Sequence, residues 1–221
     1  MRGQLPSVAL TALENLKAAG KRVGIVSGCS YGWGQTLVKL LPVDLFIVEN
    51  GAAYFTKDSA VDVGRPETRK DLLGLFQRVL MEFPDLKLAK DDNLRRFDCA
   101  IDIGQEQSVD PATVRAVLER LTREPGIQAK PSSIHINFWR GSFSKASTLE
   151  TWCRTQNIAK EKSIYVGDSL NDEPLFAEYE MSAGVANVRK HLQHMKTPPA
   201  WILEGEGGEG FAELAALLCR R

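Results

Sequence analysis

Ser163-Ile164-Tyr165-Val166-Gly167-Asp168-Ser169-Leu170-Asn171-Asp172 is the stretch on which the fold of this chain is decided. Ser163 to Val166 is a short apolar run that predicts a buried strand, ended by Gly167-Asp168. Asn171 to Tyr179 predicts a short helix. A carboxylate between such a strand and such a helix lies at the carboxyl edge of an α/β sheet, where these folds take their ligands. Asp168 and Asp172, four residues apart with the Asn171 amide between them, offer oxygen donors of the kind a hard cation accepts. Aspartates also suit helix N-caps, so taken alone the stretch is open to both readings.

The same alternation runs on both sides of it. On the N-terminal side, Pro6 to Ala19 predicts a helix, with Pro6 in the first turn and Gly20 past its end. Arg22 to Ser27 predicts a strand, Gly34 to Leu41 a helix, and Asp44 to Val48 a strand. The turn Glu49-Asn50-Gly51 and a short strand, Ala53 to Phe55, follow. Beyond the decisive stretch come a strand at Ala183 to Ala186, a helix at Asn187 to Met195, a Gly/Glu loop at Gly205 to Gly210, and a helix at Phe211 to Arg221. Apolar strands alternating with helices predict an α/β fold with a parallel sheet.

The middle of the chain has another rhythm. Two helices (Glu67 to Phe83 and Pro111 to Arg123, the latter capped by Asp110) mix with strands at Leu86 to Ala89, Phe97 to Ile103, Ile127 to Lys130 and Ser133 to Phe138. This predicts a small α+β domain inserted at 59–140 into a core made of 1–58 and 141–221. Ser133, His135 and Asn137 alternate with Ile134, Ile136 and Phe138, so that strand has one polar face and one apolar face.

Two further signals carry chemistry. Ser27-Gly28 ends a strand ahead of a helix, where a hydroxyl and backbone N–H groups can hold a phosphate; an ordinary Ser/Gly turn reads the same. Lys145, in Gly141-Ser142-Phe143-Ser144-Lys145, stands at a helix start, where its charge opposes the helix dipole. Either an anion meets it or it is a solvated surface lysine.

Taken in order, Ser27, Lys145 and the Gly167-Asp168-x-x-Asn171-Asp172 turn resemble the second, third and fourth motifs of the haloacid-dehalogenase-like (HAD) hydrolase superfamily. The Glu49-Asn50-Gly51-Ala52 turn and the inserted α+β block resemble its large-cap, type IIB or Cof-like branch. That resemblance implies a Rossmann-like core with a cap, and phosphoryl transfer through an aspartyl-phosphate with Mg²⁺. It implies that Ser27, Gly28, Lys145 and Asn171 hold the phosphate and that Lys145 and Asp168 serve catalysis. Asp168 and Asp172 would be the metal residues, with Asn171 and Asp172 orienting the ion and its waters. Resemblance to sugar phosphatases and phosphomannomutases makes Asn50, His135 and Asn137 the candidate substrate contacts, with Trp139 and Arg140 as weaker ones. Cys29 stands where many relatives have Arg.

One family feature finds no match. The D-x-D-G-T motif, with its nucleophile and its general acid/base, belongs to a strand just ahead of the first helix. Glu14 is the only acid before Asp44, so the first core strand is expected to be missing. Three expectations follow: a shortened Mg²⁺-dependent phosphatase of a small metabolite such as a sugar phosphate, a pseudoenzyme that binds a phosphorylated ligand or a protein, or a different nucleophile such as Cys29. A phosphomutase is a further alternative.

Composition sets the rest. Across 221 residues, 28 Lys and Arg balance 28 Asp and Glu. A zero balance gives no support to nucleic-acid or anionic-membrane binding. No apolar run approaches the roughly 18 residues of a membrane span. Cys29, Cys99, Cys153 and Cys219 are too scattered for a zinc pattern, and free thiols in the cytoplasm are expected. An unpaired sheet edge left by a missing strand would invite self-association.

Overall fold

A computed structural model describes residues 5–220. The part of the chain expected to carry the D-x-D strand, and the last residue of the predicted final helix, lie outside the described residues. The fold is α/β with a parallel ladder, flanking helices and an inserted α+β block, as the alternation predicts. By packing, the chain divides into two compact units. One takes the chain up to Ile25, Val38–Leu45, and the chain from Leu149 onward; the other is Val26–Leu37 with Phe46–Thr148.

In the first unit, α1 (Ser7–Ala18) buries Ala9, Ala12, Leu13 and Leu16. It packs on α7 (Gly207–Cys219). That helix begins four residues before Phe211, inside the stretch read as a loop. Glycine is a poor helix former, but here the helices come so close that a Cβ on Gly208 would lie 3.2 Å from Pro6 and 3.3 Å from Ala9. A parallel ladder in the order β10-β9-β8 joins Trp201–Ile202, Ser182–Gly184 and Tyr165–Gly167. The two residues of β10 are too few to show a period. The helix expected at Asn187 to Met195 is instead two 3-10 segments, Ala186–Lys190 and Leu192–His194. Val188 is tucked onto Gly184, at 2.5 Å from where a Cβ would stand, and Pro198 and Pro199 follow, so no α-helix continues there.

The second unit holds most of a four-stranded sheet in the order β1-β2-β3-β4: Gly24–Val26, Leu45–Val48, Ala53–Phe55 and Ala60–Asp62. Every residue of β2 is buried. β4 is exposed throughout, lacks an alternating pattern, and starts where the insert was expected to begin. Between β1 and β2, α2 (Tyr31–Leu40) starts three residues before Gly34. Gly34 occupies a helix because a Cβ there would lie 2.1 Å from Val48 Cγ1.

The inserted block is a sheet in the order β5-β7-β6, built from Asp98–Asp102, His135–Arg140 and Ile127–Pro131. Its apolar face packs Cys99, Ile101, Ile127, Ile136 and Phe138 on α3 (Arg69–Glu82) and α4 (Pro111–Thr122). Each fully buried Leu, Ile or Phe in that cluster is worth about 1.5–3 kcal/mol. Asp110 caps α4 as expected, accepting from the Ala112 and Thr113 N–H groups. The strand expected at Leu86 to Ala89 reduces to one bridge, Leu88 to Ile101; Pro84 before it and the turn at Asp91 after it leave no room for more.

Candidate functional site

The predicted residues fall into two constellations, one in each unit. Ser27, Gly28, Asn50, His135, Asn137 and Lys145 belong to the unit with the inserted sheet, and Asp168, Asn171 and Asp172 to the other.

Ser27 closes β1, its N–H bonded to Ile47 C=O and its Oγ accepting the Cys29 N–H at 3.0 Å. Gly28 has no room for a side chain, since a Cβ would sit 3.1 Å from Asn50 Oδ1. Asn50 lies in a turn of three consecutive left-handed residues: Glu49 at φ 43°, Asn50 at φ 58° and Gly51 at φ 108°. Only glycine adopts such angles at little cost, so the turn is strained at two positions.

Glu49 holds that strain in place. It is fully buried, and its carboxylate accepts four backbone N–H groups: Tyr31 at 2.8 Å, Arg96 at 2.9 Å, Phe97 at 2.7 Å and Asp98 at 3.0 Å. Burial and the charge of Asp98 push its pKa up to about 7, against the pull of those N–H groups.

Asp98 is the second hub. Arg95 donates to its Oδ1 at 2.8 Å and Asn137 to its Oδ2 at 3.0 Å, with Asn50 at 3.4 Å from the same oxygen. Arg95 also donates to the Gly28 carbonyl at 3.2 Å. One buried carboxylate thus ties the Ser27–Gly28 turn, the Glu49–Gly51 turn and β7 together.

Lys145 opens α5 (Lys145–Thr155). Ser144 and Ser147 cap that start reciprocally, each Oγ accepting the other's N–H. Gly51 seats it: a Cβ on Gly51 would lie 2.3 Å from the Ser144 carbonyl oxygen, and Thr148 Oγ1 donates to the Gly51 carbonyl at 2.7 Å.

His135 is buried, with Nε2 at 2.9 Å from Gln105 Oε1. Burial, and then the charge of Arg95, lower its pKa, which favours the neutral ring. Trp139 and Arg140 bond to the Phe143 and Pro125 carbonyls and hold the end of β7. Cys29, the alternative nucleophile, is made a poor one by its surroundings: burial pushes its thiol up to about 11.

In the other unit, Asp168 is exposed at the end of β8 and Asn171 is half-buried. Asp172 is buried, and both its oxygens are engaged. Oδ1 accepts the Tyr165 hydroxyl at 2.6 Å; Oδ2 accepts the N–H groups of Asp168 at 2.9 Å and Ser169 at 3.1 Å, and the Ser169 hydroxyl. This geometry makes Asp172 the brace of the turn that presents Asp168. Among the described residues no three His, Cys, Asp or Glu side chains gather as a metal cluster, so these residues offer a cation one carboxylate, Asp168, and not a full set of ligands.

Glu49 entered the sequence reading only as part of the Glu49–Ala52 turn, with no role of its own, and Arg95 and Asp98 were not singled out. The available signal was a charge inside an apolar run, Glu49 after Leu45–Val48 and Asp98 within Phe97 to Ile103.

Residues 90–197 match the family model for haloacid dehalogenase-like hydrolases. The chain is 23% identical over 207 residues to a phosphoglycolate phosphatase of Metallosphaera sedula, covering 93% of this chain and 87% of that protein. Among solved structures it resembles a protein of Thermoplasma acidophilum with TM-score 0.77, at 18% identity over 97% of this chain and 90% of that one. It also resembles a haloalkanoate-superfamily phosphatase of Bacteroides thetaiotaomicron (TM-score 0.69, 14% identity, 99% and 90% coverage). No helix among the described residues is long and apolar enough to cross a membrane.

Proposed function

We propose that this chain is a haloacid dehalogenase-like hydrolase and that it binds and hydrolyses the phosphate ester of a small metabolite. The observation that carries the reading is the Glu49–Gly51 turn. Through Asn50 it meets the Ser27–Gly28 turn, and through Gly51 it seats the helix that begins with Lys145. One strained turn therefore fixes both elements expected to hold phosphate.

In this reading the Ser27 hydroxyl and the N–H groups following it donate to phosphate oxygens. The Lys145 ammonium places a fixed positive charge where negative charge develops during phosphoryl transfer. Asp168, braced by Asp172, is the described residue that would hold Mg²⁺; when bound, the ion neutralises phosphate charge. Asn137 commits one of its two amide N–H groups to Asp98 and would offer substrate its second N–H or its carbonyl oxygen. The phosphoglycolate phosphatase relative and the similarity to a subclass IIB sugar phosphatase (TM-score 0.68, 13% identity) support two substrate types, a phosphorylated hydroxy acid and a sugar phosphate.

Binding without turnover is a second reading, favoured by the Ser27–Ser30 turn, whose one thiol is buried and held in its neutral form. Calorimetry with 2-phosphoglycolate and glucose 6-phosphate tests the common element. Heat of binding to either, lost in Lys145→Ala, supports the site; no heat with either refutes it. Phosphate release from the bound ester, abolished by Asp168→Ala, separates turnover from binding alone.

A further inference from the structure

We propose that Arg95 is a positioning residue for phosphate recognition: through the Gly28–Cys29 peptide group it fixes the Ser27 hydroxyl as a donor and strengthens it. The inference rests on the phosphomonoester reading and adds to it a residue that does not itself touch the ligand.

The turn after β1 is anchored by its carbonyls. Three in succession accept: Ser27 C=O from the Asn50 N–H at 3.3 Å, Gly28 C=O from the Arg95 guanidinium at 3.2 Å, and Cys29 C=O from the Glu49 N–H at 2.9 Å. The outer two donors are neutral backbone groups. The middle one carries a full positive charge, brought in from the loop before β5, with its side chain only 1% exposed. The same nitrogen, Nη1, donates to Asp98 Oδ1 at 2.8 Å. The guanidinium therefore cannot turn away from the Gly28 carbonyl without abandoning a buried carboxylate.

The peptide that receives this charge is the one that grips Ser27. A charged donor on an amide oxygen polarises the peptide and makes the N–H on its other side a stronger donor. That N–H belongs to Cys29, and it donates to Ser27 Oγ at 3.0 Å. A hydroxyl oxygen that accepts a strong hydrogen bond gives its own proton more readily, and that proton has to point elsewhere. Among the described residues neither the Ser27 hydroxyl proton nor the Gly28 N–H has an acceptor. A phosphate oxygen supplies what both lack.

Arg95 offers the ligand little attraction of its own. Asp98 and Asp91, the latter 3.4 Å from its Nε, balance its charge. Its effect on an anion runs through the hydrogen-bond chain from Gly28 to Ser27, and it should vanish when the last link is removed.

The test is a double-mutant cycle on ethyl phosphate affinity, followed by phosphorus NMR in metal-free buffer. Arg95→Met/Asp98→Asn takes out the guanidinium together with its buried counter-charge, so net charge is unchanged. The pair is compared with Ser27 in place and in Ser27→Ala. With Ser27 in place it should weaken binding about fivefold, and in Ser27→Ala less than about twofold. The Cys29 amide proton should also move upfield in the paired variant before ligand is added. A merely structural role would act alike in both backgrounds. Circular-dichroism melting shows whether each variant is folded. If the pair is not, Arg95→Gln, which keeps a donor for Asp98 but is too short for the Gly28 carbonyl, gives the same comparison. Equal weakening in the two backgrounds, or none with Ser27 in place, overturns the inference and leaves the phosphomonoester reading standing. Failure of the unaltered chain to bind ethyl phosphate overturns both.

Discussion

Replacing Glu49 by Ala should be among the most damaging single changes in this protein, and its size follows from the contacts. Four buried N–H groups, those of Tyr31, Arg96, Phe97 and Asp98, lose their acceptor together. Leaving a buried donor unsatisfied costs about 1–3 kcal/mol. The upper sum is not reached, because water enters the vacated space and the loop relaxes, so a loss of about 4–6 kcal/mol is expected, at the extreme of single substitutions. For a chain of this length that is a fall in Tm on the order of 10–20 °C. Glu49→Gln should cost roughly half as much, since one amide oxygen still accepts while the NH₂ faces backbone donors whichever way it turns.

The pH dependence carries a definite sign. Glu49 has a folded pKa near 7, above its ordinary value of 4.5. The folded state therefore binds more protons between those values, and its stability falls as pH rises from 4.5 through 7. A shift of this size corresponds to about 3 kcal/mol. The stability advantage of the native chain over Glu49→Gln should thus be larger at pH 5 than at pH 8. Urea unfolding at both values measures it. A Glu49→Ala loss below about 1 kcal/mol, or a gap that widens with pH, would refute the reasoning.

Three further outcomes are expected. Gly51→Ala places a methyl group against the Ser144 carbonyl at a backbone angle that only glycine adopts readily, so both stability and ethyl phosphate affinity should fall, the latter at least tenfold by calorimetry. Tyr165→Phe removes the hydroxyl that donates to buried Asp172; a hydrogen bond to a charged group is worth about 1.5–3 kcal/mol, and thermal melting should register that loss. Cys29, with its thiol held at about 11, should react with iodoacetamide at pH 8 far more slowly than a free cysteine, as followed by mass spectrometry.

What the sequence disclosed and what it concealed divide along the range of the interactions. The Gly167–Asp172 turn was legible because its strand, its glycine and its bracing carboxylate lie within the ten residues from Ser163 to Asp172, and Asp172 does close back on Asp168 and Ser169. Lys145 at a helix start and Asp110 as a cap were legible for the same reason. Glu49 was not, because three of its four partners stand 47–49 residues further on. Asn137 looked free to meet substrate, yet one of its two amide N–H groups is taken by Asp98, 39 residues away. The misplaced starts of α2 and α7 share one cause: glycines that weaken a helix locally are kept where another element approaches too closely for a side chain, as at Gly34 and Gly208.

The central claim is that the turn from Ser27 to Cys29 and the start of α5 form one phosphate-binding element. Amide-resolved NMR during titration with ethyl phosphate tests it most directly. The account predicts progressive, saturable shifts at Gly28, Cys29, Gly51 and Lys145, absent in Lys145→Ala. Saturable binding that leaves those four amides unmoved would contradict it.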